Sequence, residues 1–267
     1  MKKTVAIIGC GSLGTIVGEG IVKHLRDTWE LIGVYNRSTE KGEILANRLG
    51  CRNFSSLDEL FWAKPDVVVE ATTVEGLKQV AKRILDAGSD LIPLAIGAFA
   101  DETFKRDIEK TASLERRHVH FVAGAIGGFD LMQATVLKSP LKAKIISTKS
   151  PFSLQGAPGL KEPLPLDKEV VAFKGSASDA IVDFPKNVNV AIALSLATNL
   201  NPTEVEVEIH SVPGLVVNSH QITIVGEFGS AEFTINSKPS KENPKSSETA
   251  ALSVVAKLKN LASPFTF

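Results

Sequence analysis

The first 124 residues alternate short apolar runs with amphipathic segments. TVAIIG (4–9), WELIGVY (29–35), KPDVVVEAT (64–72), DLIPLAIGA (90–98) and HVHFVAG (118–124) each hold an apolar stretch of strand length. Helix-sized segments at 15–25, 40–49, 75–87 and 101–116 separate these five buried-type strands. Apolar runs without polar alternation suit strands covered on both faces. Strand–helix–strand repetition therefore predicts a parallel sheet with helices on both sides.

Beyond about residue 125 the period changes to two. KAKIISTKS (142–150), EVVAFKG (169–175), EVEVEIHSV (204–212), HQITIVGEFG (220–229) and SAEFTINSK (230–238) alternate or are β-branched, with few helices between them. A second, mostly antiparallel sheet is expected. Its main helix should span 187–198, where Val188, Ile192 and Leu196 recur at helical spacing, and a last helix at 247–261 shows Ala251, Val254, Val255 and Leu258 on one face. Segments 151–165 and 238–245, rich in Pro, Ser, Gly and Lys, read as surface loops. The expected fold class is α/β: a doubly wound parallel sheet at 1–124, then a smaller α+β domain at 125–245 carrying the mostly antiparallel sheet. A C-terminal helix at 246–267 should pack back on the first domain or on the domain junction.

Composition narrows the partners. A chain of 267 residues can bury two cores, and 43% apolar with 22% charged residues is ordinary for a globular protein. Thirty basic against thirty acidic side chains leave no net field, so neither a nucleic acid nor a membrane surface is an expected partner. No apolar stretch reaches the roughly 18 residues of a spanning helix. The first apolar run is only strand length and meets Gly9 at once, unlike a secretory signal. Cys10 and Cys51 are too few for a disulfide framework, which makes the cytoplasm the expected compartment.

The candidate chemistry starts at Gly9-Cys10-Gly11-Ser12-Leu13-Gly14, a G-x-G-x-x-G run after a strand and before a helix. In that context the first glycine permits the tight turn, the second lets backbone approach a pyrophosphate, and the third lets helix pack on strand. The helix N-terminus adds free N–H groups, so a Rossmann dinucleotide site is predicted. An NAD-preferring fold usually ends its second strand on an acidic residue; Asn36 stands there, followed by Arg37 and Ser38. No carboxylate repels a 2′-phosphate, and a guanidinium and a hydroxyl can bind one, so NADP or NAD is the expected cofactor. Thr72, Thr73 and Gly97 follow the third and fourth strands, where such sheets present ligand-facing loops.

Proton transfer beside a nicotinamide calls for an acid or base, and histidine suits neutral pH. Of five histidines, His24, His118, His120 and His210 read as structural. Five ordered blocks single out the fifth. Together with Gly9 to Gly14, the blocks GAIGGFD (124–130), FPKNVNVA (184–191), NSH (218–220) leading into GEFG (226–229), and NPKSS (243–247) make the chain resemble the L-aspartate dehydrogenase family over nearly its whole length.

The resemblance implies a Rossmann domain followed by a smaller domain, a homodimer, and oxidation of L-aspartate to iminoaspartate, which yields oxaloacetate and ammonia or feeds NAD biosynthesis. It implies His220 as the catalytic residue and Ala125 and Asn189 as contacts to the nicotinamide end. The substrate's carboxylates need donors, and Asn187, Asn189, Lys245 and Ser246 are candidates. Two other readings compete: another two-domain Rossmann oxidoreductase, homoserine dehydrogenase-like or dihydrodipicolinate reductase-like, and a non-catalytic dinucleotide-binding regulator.

Overall fold

A computed structural model describes residues 2–185, 188–238 and 248–266. The chain divides into two compact units, Met1–Gly124 with Glu248–Phe267, and Ala125–Ser247. The first unit begins β1 (Lys3–Ile8), α1 (Ser12–His24), β2 (Trp29–Tyr35), α2 (Thr39–Leu49), β3 (Arg52–Asn53), α3 (Leu57–Trp62), β4 (Val67–Glu70), α4 (Val74–Asp86), β5 (Asp90–Pro93) and α5 (Glu102–Glu115), with a 3-10 turn at Ile96–Ala100 before α5. Its strands run in the order β3-β2-β1-β4-β5, and every pairing is parallel. The winding reverses between β1 and β4, so the loops after their carboxyl ends flank the crevice where such sheets bind ligands. Short side chains fix where the helices start. Ser38, Ser56, Thr73 and Asp101 each accept a first-turn N–H of α2, α3, α4 and α5.

The segment at 118–124 departs from its expected strand. Val119 makes one parallel bridge to Leu91, with Leu91 N donating to His118 O at 2.9 Å and His120 N donating to Leu91 O at 2.8 Å. The ladder then stops, and Phe121 sets its ring edge-on to Phe99 at 4.9 Å. The fifth place in the sheet belongs to the two-residue β3 instead.

The second unit carries α6 (Phe129–Thr135), β6 (Lys142–Lys149), α7 (Pro151–Leu154), β7 (Val170–Ser176), α8 (Ala177–Asp183), α9 (Asn189–Thr198), β8 (Val205–Ser211), β9 (Asn218–Gly226) and β10 (Gly229–Ser237). Its sheet order is β10-β9-β6-β8-β7. The β6/β8 pair is parallel and the other three pairs are antiparallel, as a mostly antiparallel α+β unit requires. Alternation buries Ala143, Ile145, Val205, Val207, Ile209, Ile222 and Ile224 on one face, and α9 packs on β6 and β8. The expected loop at 151–165 opens with the short α7. Of the expected loop at 238–245, only Lys238 lies within the described residues.

The last helix, α10 (Glu248–Ala262), belongs to the first unit and packs on α1. It buries Ala251, Val254, Val255 and Leu258 in the core that holds Val5, Ile7, Val17, Ile21 and Val34. The Trp29 indole N–H donates to Leu258 O at 2.8 Å, which satisfies the polar edge of a fully packed ring. Among the described residues no helix is long and apolar enough to cross a membrane.

Candidate active site

In the first unit the loop from β1 to α1 is shaped by what its glycines lack. Gly9 has φ +107°, and a Cβ there would stand 2.5 Å from Ala71 O. A Cβ on Gly14 would run into Gly9 O, so helix and loop touch only because neither residue has a side chain. Gly11 faces open space, which leaves its backbone approachable. As N-cap of α1 it supplies no side-chain hydrogen bond, and the first turn holds no acidic residue. The first N–H groups of α1 and its dipole are thus available to an anion. Ser12 Oγ is buried without a hydrogen-bond partner among the described residues, which fits a hydroxyl that binds a ligand oxygen. Leu13 is half-buried against the apolar core.

Asn36 ties this loop to the end of β2. Its Oδ1 accepts from Cys10 N at 3.1 Å, and its Nδ2 donates to Ser38 O at 3.1 Å. Arg37 is exposed beside it, and Ser38 Oγ accepts from Lys41 N as the cap of α2. Cys10 and Cys51 are free thiols whose pKa burial pushes up to about 11, so both stay protonated near neutrality.

Sequence reasoning passed over Glu70. It ends β4 fully buried and accepts from Thr72 N at 2.6 Å, Thr72 Oγ1 at 2.5 Å and Ala95 N at 3.2 Å. It therefore joins the loops after β4 and β5. Burial pushes its carboxyl pKa up, against the pull of these hydrogen bonds. Thr73 Oγ1 accepts from Gly76 N at 3.1 Å to cap α4, and Gly97 is buried in the 3-10 turn.

In the second unit the buried face of the sheet changes from apolar to polar toward one end. Ile235, His220, Ser147 and Ile209 lie in register across β10, β9, β6 and β8. One position further outward, Lys149 pairs with Ser211 and Asn218 pairs with Ser237, and all four are buried. His220 is 3% exposed, with Nδ1 2.9 Å from Ser147 Oγ. That contact fixes the ring and leaves Nε2 as the nitrogen able to exchange a proton with a ligand. Burial, helped by the Lys149 charge, pushes the His220 pKa down to about 3, so the imidazole is neutral near pH 7. Lys149 is 6% exposed, and burial lowers its pKa to about 8, which keeps it mostly charged at neutral pH. Ser211 Oγ and Ser237 Oγ are buried without hydrogen-bond partners among the described residues.

The other histidines sit in different surroundings. His24 is exposed at the end of α1, and His118 and His120 approach Asp90 Oδ2 at 3.6 and 3.2 Å. His210 lies on the opposite face of the second sheet, between Glu169 at 3.0 Å and Glu208 at 3.2 Å. Ala125 is half-buried at the start of the second unit, and Asn189 opens α9 with an exposed side chain. Asn187, Lys245 and Ser246 lie outside the described residues.

Sequence reasoning also missed Ser147, Lys149, Ser211 and Ser237. Their signal was present: in β6 the inward positions read Ala143, Ile145, Ser147, Lys149, so the alternation puts polar groups where a core should continue.

Comparison with known proteins identifies the family. A family model described as "Aspartate dehydrogenase, C-terminal" matches residues 130–261, and one described as "Homoserine dehydrogenase, NAD binding domain" matches residues 9–122. The L-aspartate dehydrogenase of Methanospirillum hungatei is 32% identical, and that of Methanococcus maripaludis 31% identical, each over 97% of both chains. The crystal structure of aspartate dehydrogenase from Thermotoga maritima superposes with a TM-score of 0.78 at 27% identity, covering 100% of both chains. A structure of GenD2 in complex with NAD has a TM-score of 0.60 at 14% identity, a likeness of fold alone. With relatives above 30% identity over 97% of its length, this chain belongs to the L-aspartate dehydrogenase family.

Proposed function

We propose that this protein oxidises L-aspartate with NAD or NADP, and that His220 exchanges the proton of the substrate nitrogen. The carrying observation is the His220 imidazole itself: buried, neutral near pH 7, and held through Nδ1 by Ser147. A bound nicotinamide dinucleotide supplies the hydride acceptor. Gly9, Gly11, Ser12, Leu13 and Gly14 hold its diphosphate, and Asn36, Arg37 and Ser38 its adenosine ribose. Thr72, Thr73 and Gly97 line the adjoining loops, with Ala125 and Asn189 toward the nicotinamide end. The open backbone at Gly11 and the unpaired Ser12 hydroxyl support the diphosphate assignment.

L-Aspartate loses a hydride from Cα and a proton from its amine, giving iminoaspartate, which water hydrolyses to oxaloacetate and ammonia. His220 Nε2 accepts that proton in the oxidative direction and returns it in the reductive one. The low pKa of His220 belongs to a site with a charged lysine nearby. A substrate bearing two carboxylates brings negative charge and raises it, which makes the imidazole a better base once substrate is bound. Ser147 keeps the ring oriented.

The same reading assigns residues 1–124 to the dinucleotide and 125–245 to the substrate, with Asn187, Lys245 and Ser246 as further carboxylate donors. It takes the working form as a cytoplasmic homodimer, which sedimentation would report as twice the chain mass. The exposed Arg37 and the missing carboxylate at the end of β2 favour NADP use at least comparable to NAD. The test is nicotinamide absorbance with L-aspartate, L-homoserine and L-alanine, each with NAD and NADP, and with oxaloacetate plus ammonia and the reduced cofactors. Turnover confined to L-aspartate and its reverse pair is expected. Preference for L-homoserine, or cofactor binding without any turnover, would overturn the reading.

A further inference from the structure

We infer that Lys149, flanked by Ser211 and Asn218 with Ser237 at the end of the row, binds one carboxylate of the substrate. The inference rests on the reading of the protein as an L-aspartate oxidoreductase and names the polar groups that would anchor its substrate. The register carries it. Lys149 pairs directly with Ser211 across β6 and β8. The antiparallel β6/β9 register, Ser147 to His220 and Thr148 to Ser219, continues to set Asn218 beside Lys149, and Asn218 pairs with Ser237 across β9 and β10. Adjacent strands lie about 4.8 Å apart, so both neighbours of Lys149 are within reach of a group bound at its ammonium. His220 is the diagonal neighbour of Lys149 on the same face, one row inward, a spacing that long side chains bridge.

The chemistry of the row is that of an anion clamp. Its donors are an ammonium, an amide and two hydroxyls, while a carboxylate offers about four acceptor positions. No acidic residue stands in the row or in the one inward of it. Buried hydroxyls are ordinarily hydrogen-bonded, yet those of Ser211 and Ser237 have no partner among the described residues, although the two residues are 0% and 8% exposed. A lysine this deeply placed retains most of its charge at neutral pH, which suits it to hold an anion rather than to act as a base. A carboxylate bound there would also offset the positive charge that depresses His220.

The test compares wild type with Lys149→Met and Ser211→Ala, measuring kcat and KM for L-aspartate at saturating cofactor. Calorimetry gives the dissociation constant of malonate, a dicarboxylate that cannot react. Lys149→Met is expected to raise KM and the malonate constant together by about 30-fold or more, as for removal of one partner of a buried charge pair, with kcat falling much less. Ser211→Ala should raise both by roughly threefold to tenfold. A circular dichroism spectrum and a urea midpoint close to wild type mark the variants as folded; if Lys149→Met does not fold, the Ser211→Ala, Ser237→Ala double variant carries the same readout. A KM and a malonate constant both within twofold of wild type overturn the assignment, as does a fall confined to kcat. Wild-type turnover separates the layers. A wild type inactive on L-aspartate removes the underlying reading, whereas an active wild type beside a variant of unchanged KM removes the Lys149 assignment alone.

Discussion

Lowering the pH from 7 to 5 should weaken the second unit through His220. Its folded pKa of about 3 lies below the ordinary 6.5, so between those values the unfolded chain binds the proton that the folded site refuses. Stability is therefore full above about pH 6.5 and falls as the pH drops toward 3, by about 1.4 kcal/mol per unit in the middle of that window. From pH 7 to 5 the loss from this one group comes to about 2 kcal/mol. Lys149 adds nothing over this interval, because it is protonated in both states well below its folded value of about 8. Glu70, whose pKa is raised, works with the opposite sign from above its unfolded value, but it is common to any pair of His220 variants. The assay is urea denaturation of wild type and His220→Asn at both pH values, followed by circular dichroism. The difference between the two proteins cancels every shared group, and wild type should lose about 2 kcal/mol more than the variant. Parallel losses in the two proteins would refute the claim that burial holds this imidazole neutral.

Three further outcomes follow from the site geometry. Arg37→Ala should weaken NADP by about 1.5–3 kcal/mol while leaving NAD nearly unchanged, measured as dissociation constants by fluorescence titration; equal losses would remove Arg37 from the 2′-phosphate. Gly14→Ala drives a methyl group into Gly9 O, so the loop must shift, and the affinity for both cofactors should fall at least tenfold by the same titration. Ser147→Ala frees the His220 ring without removing it and should lower kcat about tenfold with KM little changed, whereas Ser147→Thr, which keeps a hydroxyl, should recover most of the rate in steady-state assays.

Much of the fold was legible because its strands announce themselves by period. The unbroken VAII and VVV runs became β1 and β4, and the alternation in EVEVEIHSV became β8. The misjudged elements are those whose pairing is brief. Segment 118–124 is apolar enough for a strand, yet only two backbone hydrogen bonds hold it beside β5, and β3 is too short at two residues to leave any pattern. The glycine loop was readable because backbone geometry dictates its residue types. The polar end of the second sheet was harder, because Lys149, Ser211, Asn218 and Ser237 come from four strands and meet only through long-range register, which local periodicity does not encode. His220 was found through resemblance, and the groups that tune it, Ser147 and Lys149, became visible only when β6 was laid beside β9.

Proton exchange at His220 is the central step of the proposed reaction, and single-turnover kinetics of His220→Ala test it most directly. With L-aspartate and saturating cofactor, the rate of nicotinamide reduction should fall by about 10²–10⁴-fold while cofactor affinity stays within a few-fold of wild type. His118→Ala and His210→Ala, which remove imidazoles paired with Asp90, Glu169 and Glu208, should keep near-normal rates. A His220→Ala enzyme that reduces the cofactor within a few-fold of the wild-type rate would contradict the account and send the search for the proton acceptor elsewhere in the fold.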